Sequence, residues 1–295
     1  MSFIRSFLTT GLATATASVG LCVGYGVALG PPSGNCCCSR RDESTKKKTP
    51  SKSSSVETYD KLAKTFDDEL NFHEFFTGID FLRTRLVRRA KKGDVLEAAC
   101  GTGRNLNKYP FGEKMLKRVV LTDASGAMVK ETREKIFLHS RVGNDGTTEI
   151  KAEVDDATRM KQKSNSFDYV VMTFGLCSTA NPGKVVKELA RVTKPNGEIL
   201  MLEHGRPPEG SVHDYWLSNI LDAHVDMHEK KWGCAWNKDI EKIVRESVGD
   251  TCDVVTFDRW HFGTTSYIVL RKRELQAKNS LISLYICIVG ARKHT

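Results

Sequence analysis

Residues 94–105, DVLEAACGTGRN, constrain this chain more than any other stretch. Val95 and Leu96, followed by the small residues Ala98 and Ala99, read as a short buried strand, and Cys100-Gly101-Thr102-Gly103 is too rich in glycine to continue it. The pattern predicts a tight turn and then a helix beginning near Arg104. A strand that passes through a glycine turn into a helix leaves bare backbone N–H groups at the carboxyl edge of a sheet, where ligands sit in open α/β folds.

Two cofactor classes use such a loop. A dinucleotide site asks for G-x-G-x-x-G, so that the pyrophosphate meets the helix start and the third glycine lets helix and strand pack closely. Here Gly101 and Gly103 are present, but Leu106 fills the third place. Glu97, at the strand end upstream of the glycines, would direct a carboxylate at the ligand, which suits a cationic amine better than a pyrophosphate. The loop therefore favours S-adenosylmethionine and disfavours a nicotinamide dehydrogenase.

The word E-x-x-C-G-T-G resembles the first motif of the class I S-adenosylmethionine-dependent methyltransferases. Four later segments resemble the next elements of that family in order: LTDAS around Asp123, VDDA around Asp156, FDYVVMTFGLCS, and RVTKPNGEILMLEH. Five segments in register, covering most of residues 59–271, make the resemblance specific. It implies an α/β fold with a Rossmann-like, doubly wound sheet of seven strands, six parallel and one antiparallel near the C-terminal edge. It also implies S-adenosyl-L-methionine as cofactor, with Glu97, Ala99, Gly101, Gly103 and Asn105 at the glycine turn, Asp123 and Ala124 at the ribose, Asp156 and Ala157 at the adenine edge, Thr173 at the end of the fourth strand, and Tyr59 closing over the ligand. For Tyr59 a plain core or surface aromatic is the competing reading. Ala99 stands where the family most often has glycine, and reads as a mild change. The flanking words TYDKLAKTF, GTGRN with Tyr109-Pro110, LEHGRP and HEKKWGCAWNKDI are similar to mitochondrial inner-membrane methyltransferases of fungi. More distantly, GTG with its following YP, LCS and EH are similar to membrane-associated thiol methyltransferases of animals, and both groups to the quinone-biosynthesis C-methyltransferases.

A formal net charge of +9 would suit a nucleic-acid partner, but the charge is unevenly distributed along the chain. Residues 1–55 carry seven Lys/Arg against two Asp/Glu and residues 271–295 six against one, so the region between is close to neutral. A polyanion groove is not expected there; basic tails fit a membrane surface or an import signal. Residues 1–30 have Arg5 as their only charge and contain an uncharged run from 11 to 30, about long enough to span a bilayer though weakly hydrophobic. They are expected to be a presequence or single membrane anchor, with the mitochondrial inner membrane as its place and the endoplasmic reticulum as the alternative. Gly20 and Gly24, and Gly26 and Gly30, have the G-x-x-x-G spacing that would seat a homodimer. Residues 31–55 read as a basic linker, 56–271 as the catalytic domain, and 272–295 as a basic and apolar tail.

Within the domain, residues 58–92 read as helical, with Leu62, Phe66 and Leu70 on one side and Phe81, Leu82, Leu86 and Ala90 on the next. Asp155 reads as the solvated member of the pair with Asp156. Residues 211–239 have no counterpart among the cofactor motifs and are where substrate identity is expected, with Trp216, Trp232 and Trp236 there and Trp260 in the following hairpin. Such a cluster suits an apolar or aromatic small molecule or, equally, a core. His204, directly after the fifth strand, is the candidate catalytic base, against a role in fixing the loop to Pro207-Pro208. No metal is expected: His224 and His228 have helical ligand spacing but lack the glutamate of H-E-x-x-H, and nine cysteines include no C-x-x-C. Cys177 reads as a pocket residue, because methyl transfer needs no covalent nucleophile. The reading is thus a methyltransferase acting on a quinone-like, phenolic or thiol acceptor near a mitochondrial membrane. The alternative is a respiratory-complex assembly factor that keeps the fold and acts through partners.

Overall fold

The computed structural model describes residues 52–113, 115–142 and 148–274. Seven strands, β1 (Gly93–Ala98), β2 (Leu116–Asp123), β3 (Glu149–Val154), β4 (Phe167–Thr173), β5 (Thr193–His204), β6 (Cys252–Trp260) and β7 (Thr265–Lys272), form one sheet in the order β3-β2-β1-β4-β5-β7-β6. Strands β1 to β5 pair in parallel, and β7 runs antiparallel to both β5 and β6. The connection from β6 to β7 is too short for a crossover, so the two must form a hairpin, and β7 enters between β5 and β6. The seven-strand architecture is the one anticipated.

Burial on both faces explains the continuous apolar runs of the central strands. Val95, Val119, Val171 and Leu200 face one core, packed with Leu82 and Leu86 of α3 (Ile79–Val87) and Val129 of α4 (Gly126–Val142). Leu96, Val120, Val170 and Ile199 face the other, against Val185, Val186 and Leu189 of α5 (Pro182–Val192) and Ile240, Val244 and Val248 of α7 (Ile240–Val248). Asp239 caps α7, its carboxylate accepting the Lys242 N–H at 3.0 Å, a contact worth about 1 kcal/mol.

Three local expectations are corrected. The helical N-terminal stretch is three helices, α1 (Lys52–Leu62), α2 (Phe66–Thr77) and α3, with Gly78 in the left-handed conformation (φ 76°) turning α2 into α3. Helix α1 starts at Lys52, inside the stretch assigned to the linker. On α3 the buried side is Leu82 and Leu86, continued by Ala90, whereas Phe81 lies one position off that stripe and is 65 % exposed. Finally, no α-helix starts near Arg104. The chain makes two 3₁₀ turns, Leu106–Lys108 and Phe111–Glu113, because Pro110 holds Tyr109 extended (φ −67°, ψ 141°).

Among the described residues no helix is long and apolar enough to cross a membrane. The N-terminal anchor, its glycine spacing and residues 275–295 of the tail lie outside the described residues.

Candidate functional site

A cavity of ≈ 440 Å³ opens along the carboxyl ends of β1 to β5, within the span of roughly 300 to 1,000 Å³ typical of small-molecule sites. The strand order sets its layout. Asp155, Asp156 and Ala157 follow β3, Asp123 and Ala124 end β2, Ala99 and Gly101 follow β1, Thr173 ends β4 with Phe174, Gly175, Cys177 and Ser178 after it, and His204 ends β5. With strands about 4.8 Å apart, this row extends for roughly 19 Å, the length of an extended nucleoside with a side chain attached.

The β1 end of the row is shaped by backbone. Ala99 (φ 52°) and Gly101 (φ 56°) both take the left-handed conformation, and a Cβ on Gly101 would meet no protein atom within 4 Å, so it would stand in the space left for a ligand. For Ala99 the conformation costs about 1–2 kcal/mol relative to glycine, so alanine at this position is strained rather than mild. Asp123 accepts the Gly101 N–H at 2.9 Å and the Ser125 N–H at 2.9 Å, one on each carboxylate oxygen, and so ties the glycine turn to β2. Burial pushes the Asp123 carboxyl up from its ordinary value, against those N–H groups. Asp155 is the buried member of its pair, not the solvated one: it is 6 % exposed and its two oxygens accept the Asp156 and Lys161 N–H groups. Asp156 is half-buried and accepts the Thr158 N–H and hydroxyl.

Three predicted cofactor residues stand behind the wall instead of lining it: Glu97, Gly103 and Asn105. Glu97 is 1 % exposed and accepts the Tyr109 hydroxyl at 2.6 Å and the Asn105 amide at 2.9 Å. Burial, opposed by those two hydrogen bonds and by Arg83, pushes its carboxyl up to about 7. The Asn105 amide also donates to Thr173 Oγ1 at 3.1 Å, and Gly103 (φ 75°) packs where a Cβ would stand 3.1 Å from the Thr132 methyl.

In front of that layer lies Arg83, which the sequence reading passed over. Its guanidinium donates to Glu74 at 2.6 and 3.2 Å, to Thr173 Oγ1 at 2.6 Å and to Asn105 Oδ1 at 3.2 Å, and it lies over the Phe174 ring at 5.1 Å. Burial would raise Glu74, but Arg83 and Arg104 outweigh it and hold the carboxyl at about 2. Removing one partner of such a buried pair costs about 3–5 kcal/mol. The signal was a charged residue on the buried side of α3, beside Leu82 and Leu86.

Helix α1 straps the cavity. Tyr59 shares a 2.6 Å hydrogen bond with Ser178 Oγ, and the neighbouring Asp60 accepts the Ser125 hydroxyl at 2.5 Å. Tyr59 lines the cavity and is packed against Gly233, where a Cβ would stand 2.8 Å from its ring.

Beyond β4 the lining comes from α6 (Asp214–Trp232) and the turn after it. Trp216, Trp232 and Trp236 line the cavity; Trp260 does not, and is 40 % exposed. Trp236 donates its indole N–H to Leu221 O and stacks on His228 at 3.7 Å. His224 and His228 both face the cavity, each with Nδ1 at a backbone carbonyl, Ile220 O and Cys234 O. Burial is the main cause holding His228 down to about 4. His204 does not fix the loop to Pro207: its ring packs at a tilt of 35° on Phe174, centroids 4.2 Å apart, and its Nδ1 lies 3.9 Å from Cys234 Sγ. Cys234, without any local sequence signal, is the residue least visible beforehand.

Residues 96–201 match a methyltransferase domain model. A UbiE ubiquinone/menaquinone biosynthesis C-methyltransferase from Bdellovibrio bacteriovorus is 31 % identical over 170 residues, 55 % of this chain and 68 % of its own length. The chain belongs to the S-adenosylmethionine-dependent methyltransferases. The mitochondrial methyltransferase OMS1 of Saccharomyces cerevisiae is 32 % identical over 234 residues, 76 % of this chain but 47 % of the yeast protein, and the UbiE of Idiomarina loihiensis is matched over 52 % of its length. The chain thus spans about half of each of these two relatives. The methyltransferase bound to the Trm112 activator from Haloferax volcanii has the same fold, with a TM-score of 0.54 at 16 % identity over 74 % of this chain and 97 % of that one.

The residues suit the family's cofactor on structural grounds. An open cradle faces Gly101, and carboxylates stand at the ends of β2 and β3, where hydroxyl and amine donors of a nucleoside would need acceptors.

Proposed function

We propose that the protein transfers a methyl group from S-adenosylmethionine to a nucleophilic sulfur, oxygen or activated carbon of an apolar small molecule. The observation that carries this is the single cavity in which the ends of β3, β2 and β1 supply cofactor contacts while β4, β5 and α6 supply an aromatic acceptor end. Asp156 and Ala157 hold the adenine edge, Asp123 and Ala124 the ribose, and Ala99 and Gly101 lie along the chain carrying the sulfonium. Bound there, the cofactor supplies an activated methyl with a neutral thioether as leaving group. The protein's own share is orientation and exclusion of water: Tyr59 covers the ligand, Arg83 fixes the wall through Thr173, and Trp216 with Trp236 sets the acceptor plane. His204 stands at the acceptor end, where a neutral imidazole takes the proton of a thiol or phenol.

A mitochondrial membrane as the place of action is supported by the likeness to a mitochondrial yeast protein and by the apolar N-terminal run. It is further supported by Phe72, Phe75 and Phe76, exposed on α2 and packed on one another at 4.3 and 5.3 Å, beside the cavity residues Leu70 and His73.

Calorimetric titration with S-adenosylmethionine tests the reading. Gly101→Val and Asp123→Ala are each expected to weaken binding by at least about 100-fold, the first by filling the cradle and the second by leaving hydroxyls unpaired, with circular dichroism unchanged. Unaltered affinity in both folded variants would overturn the assignment. Transfer of labelled methyl to a panel of thiols, phenols and quinols then identifies the acceptor, and no transfer to any of them by a cofactor-binding protein would favour an assembly role.

A further inference from the structure

Cys177 in the turn after β4, His204 at the end of β5 and Cys234 just after α6 come from three separate parts of the chain, yet their donor atoms lie within 4.8 Å of one another. All three line the cavity, and the two thiols are 1 % and 6 % exposed. A tetrahedral zinc, with Zn–S near 2.3 Å and Zn–N near 2.0 Å, separates its donors by about 3.5 to 3.8 Å, so side-chain shifts on the order of 1 Å would close this cluster on an ion. We propose that Cys177, His204 and Cys234 bind a thiophilic divalent cation of the zinc class, with its fourth coordination position open to the acceptor end of the cavity.

The surroundings hold the donors in place before any ion arrives. The Cys177 carbonyl accepts the Ala235 N–H at 3.0 Å, joining the two cysteine loops directly. Lys238 Nζ donates to the carbonyls of Leu176, Cys177 and Thr179 at 3.0, 2.7 and 2.6 Å, and the buried Glu203 carboxylate accepts the Gly175 and Leu176 N–H groups from below. His228 Nδ1 sits 2.8 Å from the Cys234 carbonyl, and Phe174 packs against the His204 ring. Outer contacts of this kind orient metal ligands. The Lys238 ammonium opposes a cation nearby, but burial lowers its proton affinity and its Nζ is turned onto three backbone carbonyls.

The donor set selects the ion. Two sulfurs and an imidazole favour zinc over magnesium or calcium, which take oxygen. A hydrogen bond from Cys234, working against burial and helped by His204, holds the Cys177 thiol well below its ordinary value. Loading displaces the remaining thiol protons to solvent, and two thiolates with a neutral imidazole balance the dication. An acceptor thiol or phenol in the fourth position would lose its proton to solvent more easily, which would replace the role of His204 as base. That role rests on the methyl-transfer reading; binding of the ion does not.

Zinc itself is the probe. Full-length protein in detergent, carrying no histidine tag and with Cys36→Ser, Cys37→Ser and Cys38→Ser removing the linker thiols, is reduced, given zinc and dialysed. One zinc per chain is expected. Cys177→Ala or Cys234→Ala is expected to lower zinc affinity at least about 100-fold, whereas Cys252→Ala, at a buried cysteine outside the cluster, retains it. Cobalt loading of the unsubstituted cluster is expected to give thiolate-to-metal charge-transfer absorption, a readout that needs no cluster variant to fold. Absence of bound zinc and of that absorption in the reduced protein would overturn the proposal, as would equal zinc content in folded Cys177→Ala and Cys234→Ala. Because none of these readouts involves methyl transfer or cofactor binding, they stand or fall apart from the proposed activity.

Discussion

At the ends of β1, β2 and β3 the cavity wall is largely backbone: left-handed residues at 99 and 101, N–H groups tied to Asp123, and a loop closed on Asp155. At the ends of β4 and β5 it is side chain, with thiols, imidazoles and indoles drawn from residues 174 to 236. A backbone wall admits few alternatives, because a changed Cβ or φ alters its shape. A side-chain wall changes with each substitution and leaves the sheet beneath it untouched. One fold can therefore keep its cofactor chemistry and alter its acceptor.

Three measurements would break or sharpen this contrast. The largest effect is expected at Glu97, beneath the backbone wall. Its carboxyl ionises near 7 in the folded protein against an ordinary value of 4.5, so the folded state holds an extra proton between those values. That contribution to stability is complete below pH 4.5 and is lost as pH rises to about 7, an effect on the order of 3 kcal/mol. Urea midpoints of Glu97→Gln across this window are expected to lack that decline; parallel curves for the variant and the wild type would refute it. Next in size, Trp216→Ala is expected to raise the acceptor KM about tenfold, or ~1.4 kcal/mol, with cofactor affinity unchanged. A matching loss of cofactor affinity would show that the two ends are not separable. The smallest effect is expected for Ala99→Gly, which relieves left-handed strain while adding freedom to the unfolded chain, for a net gain of about 0.5–1 kcal/mol and a slightly higher Tm. A lower Tm would mean that the Ala99 methyl packs usefully against Gly175.

The same contrast explains what could be read from the sequence. The strand and glycine turn, Asp123 and Asp156 all belong to short contiguous words, and each was found where its word placed it, at the carboxyl edge of a seven-stranded sheet. Glu97 was placed at the correct strand end but on the wrong side of the wall, because its direction is decided by Asn105 and Tyr109, eight and twelve residues on. The helix expected at Arg104 gave way to Pro110. Cys177, His204 and Cys234 are 27 and 30 residues apart, so no ligand spacing marks them; only the adjacency of β4 to β5 and the return of α6 bring them together. Arg83 was hidden for a similar reason, since its partners Glu74, Asn105 and Thr173 lie on three different elements.

Helix α1 bears on the timing of turnover. Adjacent residues fasten it at both ends of the cavity, Asp60 to Ser125 beside the cofactor and Tyr59 to Ser178 beside the acceptor. On the proposed methyl transfer, release of a helix fastened in this way would uncover both ends in one movement, and spent cofactor and methylated product would leave by the same door. Two hydrogen bonds then act as a latch, and its release can pace the cycle after the chemistry is over.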